Sequence, residues 1–122
     1  MKIKSLLSVA LLLAVISLAF PMRALASEEH GCTHEPTVQA LRGCVVHAAN
    51  AGHIDSLNLT KSLLAQLDAA QTALDRGQTD VAVKNLLVFV QTVEAQAGKH
   101  IVAEHAAHLV GHAQEVVTAL SQ

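Results

Sequence analysis

The sequence TDVAVKNLLVFVQTVEAQAG, residues 79–98, decides the fold of this chain. Its apolar residues recur every three or four positions, which is the spacing of one helix face: Ala82, Leu86, Phe89, Val90, Val93 and Ala97. Thr79 is predicted to cap this helix at its start, and Gly98 is predicted to end it. Val81 and Val88 point away from the stripe, so they predict a second packing surface, against either the first helix or a partner.

Three further helices are predicted around this one, with the ranges 36–51, 59–76 and 102–120. Their predicted core residues are Val38, Leu41, Val45, Ala48 or Ala49, Leu63, Leu67, Ala70, Leu74, Leu109, Ala113, Val116 and Leu120. The last helix begins without a capping side chain, because His100-Ile101-Val102 offers none. No alternation typical of β-strands occurs in the sequence. The predicted fold class is therefore all-α, a small bundle of four helices with short loops.

The first 26 residues have the pattern of a secretory signal peptide. Lys2 and Lys4 precede the apolar run 5–20, and Ala24-Leu25-Ala26 supplies the small residues that signal peptidase requires. The apolar run is about 15 residues, short of the roughly 20 that cross a bilayer as a permanent helix. The sequence predicts export to the periplasm or the extracellular space, with no membrane span after cleavage. Residues 27–35 are expected to form a flexible N-terminal segment.

The exported chain is predicted to be small and acidic. Removing 26 of 122 residues leaves 96, enough for one domain. Three of the eight basic residues leave with the leader, so five basic and ten acidic residues give a net charge of −5. Phe89 is the one aromatic residue in this part of the sequence. A nucleic-acid-binding protein needs cationic side chains for phosphates and rings for stacking, so we exclude that class.

Residues 52–120 resemble the FIMAH domain, a module of bacterial extracellular proteins. The residues that carry the likeness are Gly52-x-Ile54, Ser62-Leu63, Leu67-Asp68-Ala69-Ala70, Ala73-Leu74, Gly77, Ala82-Val83, Phe89, Val93, Ala95-Gln96-Ala97-Gly98-Lys99 and Ala113-Gln114. The most distinctive piece is the Ala-Gln-x-Gly-Lys turn after the helix that contains Phe89. The resemblance implies a short helical unit without a catalytic role. The Cys- and His-bearing helix 36–51 precedes the part that the resemblance covers.

Cys32 and Cys44 are the two cysteines of the sequence, and an oxidising compartment favours their pairing. A helix beginning at Thr33 would separate them by about 16 Å, beyond the reach of a disulfide. A helix beginning near Pro36 lets the preceding segment fold back alongside Cys44, and this is the arrangement that we predict. The alternative is a tetrahedral zinc site in which His34 and His47 join the two thiolates.

Eight histidines follow the predicted cleavage site. His105, His108 and His112 fall within an arc of roughly 60° on the last helix, beside its apolar stripe. Three explanations remain open. The rings cover the edge of the core, they bind a metal ion such as zinc, copper or nickel, or they act as a protonation switch near about pH 6. Glu104 precedes the first histidine of the run instead of following it, so the catalytic zinc signature His-Glu-x-x-His is absent.

No nucleophile, general base or phosphate loop is assembled in the sequence, so we predict that the protein is not an enzyme and needs no cofactor. The leading functional prediction is an exported module that binds another protein or self-associates through its Ala/Val-rich helical face. The alternative is a histidine-rich metal-binding protein with His105, His108 and His112 as ligands, holding zinc or copper.

Overall fold

A computed structural model of the chain describes residues 32–122, so the predicted signal peptide and its cleavage site lie outside the described residues. Four helices follow one another: α1 (Val38–Asn50), α2 (Leu57–Asp75), α3 (Thr79–Gln96) and α4 (Ala103–Leu120). Residues 32–122 contain no β-strand, and the predicted all-α bundle is confirmed for this part of the chain. Within the same residues, no helix is both long enough and apolar enough to span a bilayer.

The four helices form a closed ring of contacts. α1 packs against α2 and α4, and α3 packs against the same two helices, with no contact across the diagonals. Short connections between contacting helices make the neighbours antiparallel. The largest fully buried side chains fill the centre of this ring: Phe89, Leu41, Leu63, Leu67, Leu86, Ile101, Val45, Val93 and Val116. Leu74, Ala97 and Leu120, predicted to lie in the core, are half-buried at its edge.

The first two helices begin at residues other than the predicted ones, because a polar side chain fixes each start. α1 begins at Val38 instead of Pro36, and the hydroxyl of Thr37 accepts a hydrogen bond from the backbone N–H of Ala40. α2 begins at Leu57 instead of Leu59 or Thr60, and the hydroxyl of Ser56 accepts from the N–H of Leu59. Leu57 is 70% exposed, so the hydrophobic pattern could not include it in the helix.

Thr79 was expected to cap α3, and this prediction is wrong. Thr79 is the first helical residue, and Gln78 occupies the capping position without a side-chain hydrogen bond. The reason is the tight turn before it, where Gly77 has a left-handed φ of 74°. The N–H of Gln78 donates to Ala73 and that of Gly77 to Leu74, the pattern of a Schellman motif. Gln78 thus closes the turn that follows α2 and is also the N-cap residue of α3. Thr79 therefore lies inside the helix and cannot cap it.

Two loops cross at one end of the bundle. The first joins α1 to α2 (residues 51–56) and the second joins α3 to α4 (residues 97–102). The N–H of Asp55 donates to the carbonyl of His100 at 3.0 Å, and the N–H of Val102 donates to that of His53 at 2.9 Å. This pairing brings two buried isoleucines together in an antiparallel bridge, Ile54 and Ile101. It also fixes the start of α4, which has no side-chain cap.

Candidate functional site

A disulfide ties the N-terminal segment to α1. Cys32 and Cys44 are bonded, with their Cα atoms 4.7 Å apart, so the predicted pairing and the folding back of residues 32–35 are confirmed. Both sulfurs are therefore used in the disulfide. The alternative zinc site, which needed two thiolates beside His34 and His47, is wrong because a disulfide sulfur is not a thiolate ligand.

The disulfide places His34 beside α4. The centroid of the His34 ring lies 5.7 Å from that of His108, with 26° between the ring planes. The centroid of the His112 ring lies 5.6 Å from that of His34, at 52°. With Ala107, Gly111 and Glu115, these three histidines line a cleft of about 290 Å³. We call His34, His108 and His112 the imidazole cluster.

His112 is the buried member of this cluster, only 4% exposed. Its Nε2 lies 2.6 Å from the carbonyl oxygen of Glu35. A carbonyl only accepts hydrogen bonds, so Nε2 donates and carries the proton. The Nδ1 atom of His112 is buried and has no partner among the described residues. The ring therefore fastens the N-terminal segment to α4.

His105 has a different neighbour. Its ring stacks on that of His53 in the first crossing loop, with centroids 3.5 Å apart and planes 17° from parallel. Burial lowers the pKa of His105 below its ordinary value of 6.5, and the charge of His53 lowers it further. Glu104 opposes this shift, while His108 and His47 add to it. The neutral form of the His105 ring is therefore favoured in the folded protein.

The three histidines of the predicted arc lie on one side of α4 but do not surround a common point. His105 pairs with His53, whereas His108 and His112 lie against His34. Among residues 32–122, no three His, Cys, Asp or Glu side chains are grouped in a way that could hold a metal ion. Metal binding by these histidines stays a prediction.

The angular positions of side chains around α4 could not predict that His34 and His53 lie beside this helix, because both residues belong to other segments. The signal for His34 was its position two residues after Cys32, which the disulfide draws towards the bundle. His53 carried no such signal. His100, which also lies outside the arc, places its Nδ1 2.7 Å from an Asp55 carboxylate oxygen at the surface.

An exposed apolar surface lies on α3, away from the histidines. Val81, Leu87 and Val88 are 44%, 47% and 47% exposed, although the opposite side of the same helix is fully buried. The prediction that Val81 and Val88 point away from the core is confirmed, and Leu87 is an addition to it. We call these three residues the α3 patch. Leu57 and Val102 are also exposed, Leu57 directly after the first crossing loop and Val102 at the end of the second.

The fold and these surfaces define a small helical module with a disulfide-tied N-terminal segment. The family model of the FIMAH domain matches residues 38–118, two thirds of the chain. The chain belongs to the FIMAH domain family, and the resemblance is confirmed. The match begins at Val38, so it includes α1, which the resemblance over 52–120 leaves out. Comparison with curated proteins gave no match, and comparison with solved structures gave none either.

Proposed function

We propose that this protein is an exported, non-enzymatic FIMAH module that binds another protein through the α3 patch. The observation that carries the proposal is the exposure of three large aliphatic side chains on one helix. Single exposed apolar residues are ordinary, whereas a group of them is typical of a docking surface. Membership of the FIMAH family supports a helical module without catalysis. The disulfide and the signal-peptide pattern support export.

The arrangement of the patch favours a helical partner. Val81 and Val88 are seven residues apart, so they lie nearly in line along α3, and Leu87 lies about 100° around the helix from Val88. By the same geometry, exposed Lys84 and Gln91 lie between the two valines and Leu87. Whole protein interfaces are only about as apolar as the rest of the protein surface, so polar side chains within the patch are compatible with docking. The pattern matches a partner helix that presents its own apolar stripe.

Site-specific photo-crosslinking tests this proposal. A photoreactive residue at position 87 is expected to give one discrete adduct, either a dimer of the chain or a single partner. The matched control is position 61, because Lys61 is exposed on α2 and is not part of the patch. The variant Val81→Ser plus Val88→Ser removes apolar contact without touching the core, so we expect it to abolish the adduct. Equal adducts at positions 87 and 61, or an adduct that survives the double replacement, would show that the α3 patch is not the docking surface.

A second candidate function, metal binding, is favoured by the position of His34 beside His108 and His112. Imidazole nitrogen is a good ligand for zinc, copper and nickel. The exposed rings of His34 and His108 are the available donors. The Nδ1 atom of His112 is a further one, because Nε2 carries the proton that is donated to Glu35. The His105 pair with His53 lies outside this cluster.

Calorimetric titration with zinc, copper(II) and nickel tests the second candidate. A metal held by the imidazole cluster is expected to bind more weakly after His34→Ala or His108→Ala. His100→Ala is the control, because His100 is exposed and paired with Asp55 instead. If all three replacements lower the affinity equally, the metal binds non-specifically to scattered imidazoles. The imidazole cluster is then ruled out as a metal site.

A further inference from the structure

The stacked pair of His53 and His105 lies where the two crossing loops meet. His53 accepts the N–H of Val102 through its carbonyl, and Val102 is the residue before α4. The same short segment therefore places the His53 ring against His105, one turn into α4. The rings are half-buried. Repulsion between the two rings therefore weakens the backbone hydrogen bonds that join the two loops.

Two protonated imidazoles cannot remain in this stack without repulsion. At a separation of about 4 Å, two unit charges repel by about 1 kcal/mol in water and several times more near a protein surface. The surroundings supply little compensation. The other titratable or charged groups near the pair are His47 of α1, Glu104 and His108 of α4, and Asp55, Lys99 and His100 of the loops. Of the two carboxylates among them, that of Asp55 is already engaged with His100.

We propose that the His53–His105 stack is an acid-sensitive catch: it holds the two crossing loops together when both rings are neutral and releases them when both are protonated. Separation of the two loops breaks the contact between Ile54 and Ile101, two side chains that are buried while the loops are paired. In acid, the side chains of these two isoleucines thus become exposed to solvent at one end of the bundle. The proposal stands independently of the docking function of the α3 patch.

The direction of the pH dependence follows from the pKa of His105. Because the folded state lowers this pKa, the folded protein binds fewer protons than the unfolded chain as the pH falls. The contribution of His105 to stability is therefore fully present above the ordinary value of 6.5 and is lost progressively below it. The other contact beside the stack joins His100 to Asp55. That pair is more than half exposed, so its effect is small.

A double-mutant cycle at two pH values tests the catch. The unfolding equilibrium constant of the exported chain is measured with urea at about pH 7.5 and about pH 5, for wild type, His53→Gln, His105→Gln and the double variant. We expect the wild-type constant to rise about tenfold in acid, near the lower end of the Coulomb range for such a contact. Each single replacement is expected to remove most of that rise, and the second to add nothing. His100→Gln is the control and should keep the rise.

Three results would overturn the proposal: a wild-type constant that does not rise in acid, a rise that persists in both single variants, or a coupling between positions 53 and 105 that is the same at both pH values. Hydrogen exchange in the wild type gives a second measurement that needs no variant to fold. The amides of Asp55 and Val102 should lose protection in acid relative to that of Leu67 in α2, after correction for intrinsic rates. Equal retention of protection at all three amides would also contradict the catch.

Discussion

Single side chains hold the N-terminal segment against the bundle. The Cys32–Cys44 disulfide fixes one end of this segment, and His112 fixes its middle through the Glu35 carbonyl. The two contacts differ in kind. The disulfide limits the freedom of the unfolded chain, whereas the His112 hydrogen bond and its burial act on the folded state. Each can be removed separately, so their contributions can be measured separately.

Replacing His112 with alanine is expected to lower the free energy of unfolding by about 1–3 kcal/mol, because a buried ring and its hydrogen bond are lost together. The matched control is His108→Ala, one turn away on the same helix. His108 is exposed, so its loss should change stability by no more than about 0.5 kcal/mol. Urea unfolding of the oxidised chain measures both values. Equal losses would show that the contact with Glu35 contributes nothing.

Replacing both cysteines with serine is expected to lower the free energy of unfolding by about 2–3 kcal/mol, the value for a loop of about 12 residues. Thermal and urea unfolding of the double variant give this loss directly. Wild type under reducing conditions serves as the control and should behave like the variant. Unchanged stability in both samples would mean that the N-terminal segment is restrained as strongly without the covalent bond.

At the scale of the helix, starts are set by local hydrogen bonds and ends by backbone geometry. α2 shows both effects: Ser56 caps its first turn, and Gly77 allows the Schellman turn after its last residue. Its apolar stripe is Leu63, Leu67, Ala70 and Ala73. The exposed residues between them neither cap the helix nor fill the core, and one of them, Asp68, accepts a hydrogen bond from Arg42 of α1.

Ser56→Ala is expected to cost about 1 kcal/mol of stability, the usual value of an N-cap hydroxyl. Ser62→Ala is the matched control, because Ser62 is exposed inside the same helix. Alanine is the better helix former there, so this change should be neutral or slightly stabilising. Chemical denaturation of both variants separates the two serines. A loss of similar size in each would argue that the Ser56 hydroxyl does not act as a cap.

The whole molecule depends on a closed ring of four helices. α1 supplies Leu41 and Val45, both fully buried, and it completes the ring by packing on α2 and α4. Without it, one side of each neighbour would face water. The family match from Val38 onwards agrees with this dependence. The folding unit is therefore larger than the segment 52–120 that the sequence resemblance delineates.

A chain of residues 52–122 is accordingly expected not to fold cooperatively. It should keep part of its helical circular dichroism, bind a hydrophobic dye and unfold over a broad range of urea, as loosely packed states do. Residues 32–122 are the control and should give one sharp transition. The same sharp transition at the same urea concentration in the shorter chain would show that α1 is dispensable.

Much of the architecture was predictable because it is encoded locally. The 3.6-residue spacing of apolar residues in α3 identifies its buried side without any tertiary information. The oxidising compartment that the signal-peptide pattern implies, together with a helix start near Pro36, favoured the pairing of Cys32 with Cys44. The start of α2 was missed because Leu57 is exposed, and the start of α3 because Gln78 serves two helices at once. Such ends depend on backbone geometry, which the hydrophobic pattern does not report.

The amino-acid sequence by itself determined the four helices and most of their core residues, because periodicity and short loops act over a few neighbouring residues. It favoured the disulfide over a zinc site. Only the tertiary structure decided which histidines meet. His34 reaches α4 from 74 positions away and His53 reaches it from 52, through a disulfide and a crossing of two loops. Contacts over such separations depend on how whole helices pack, and no local pattern specifies them.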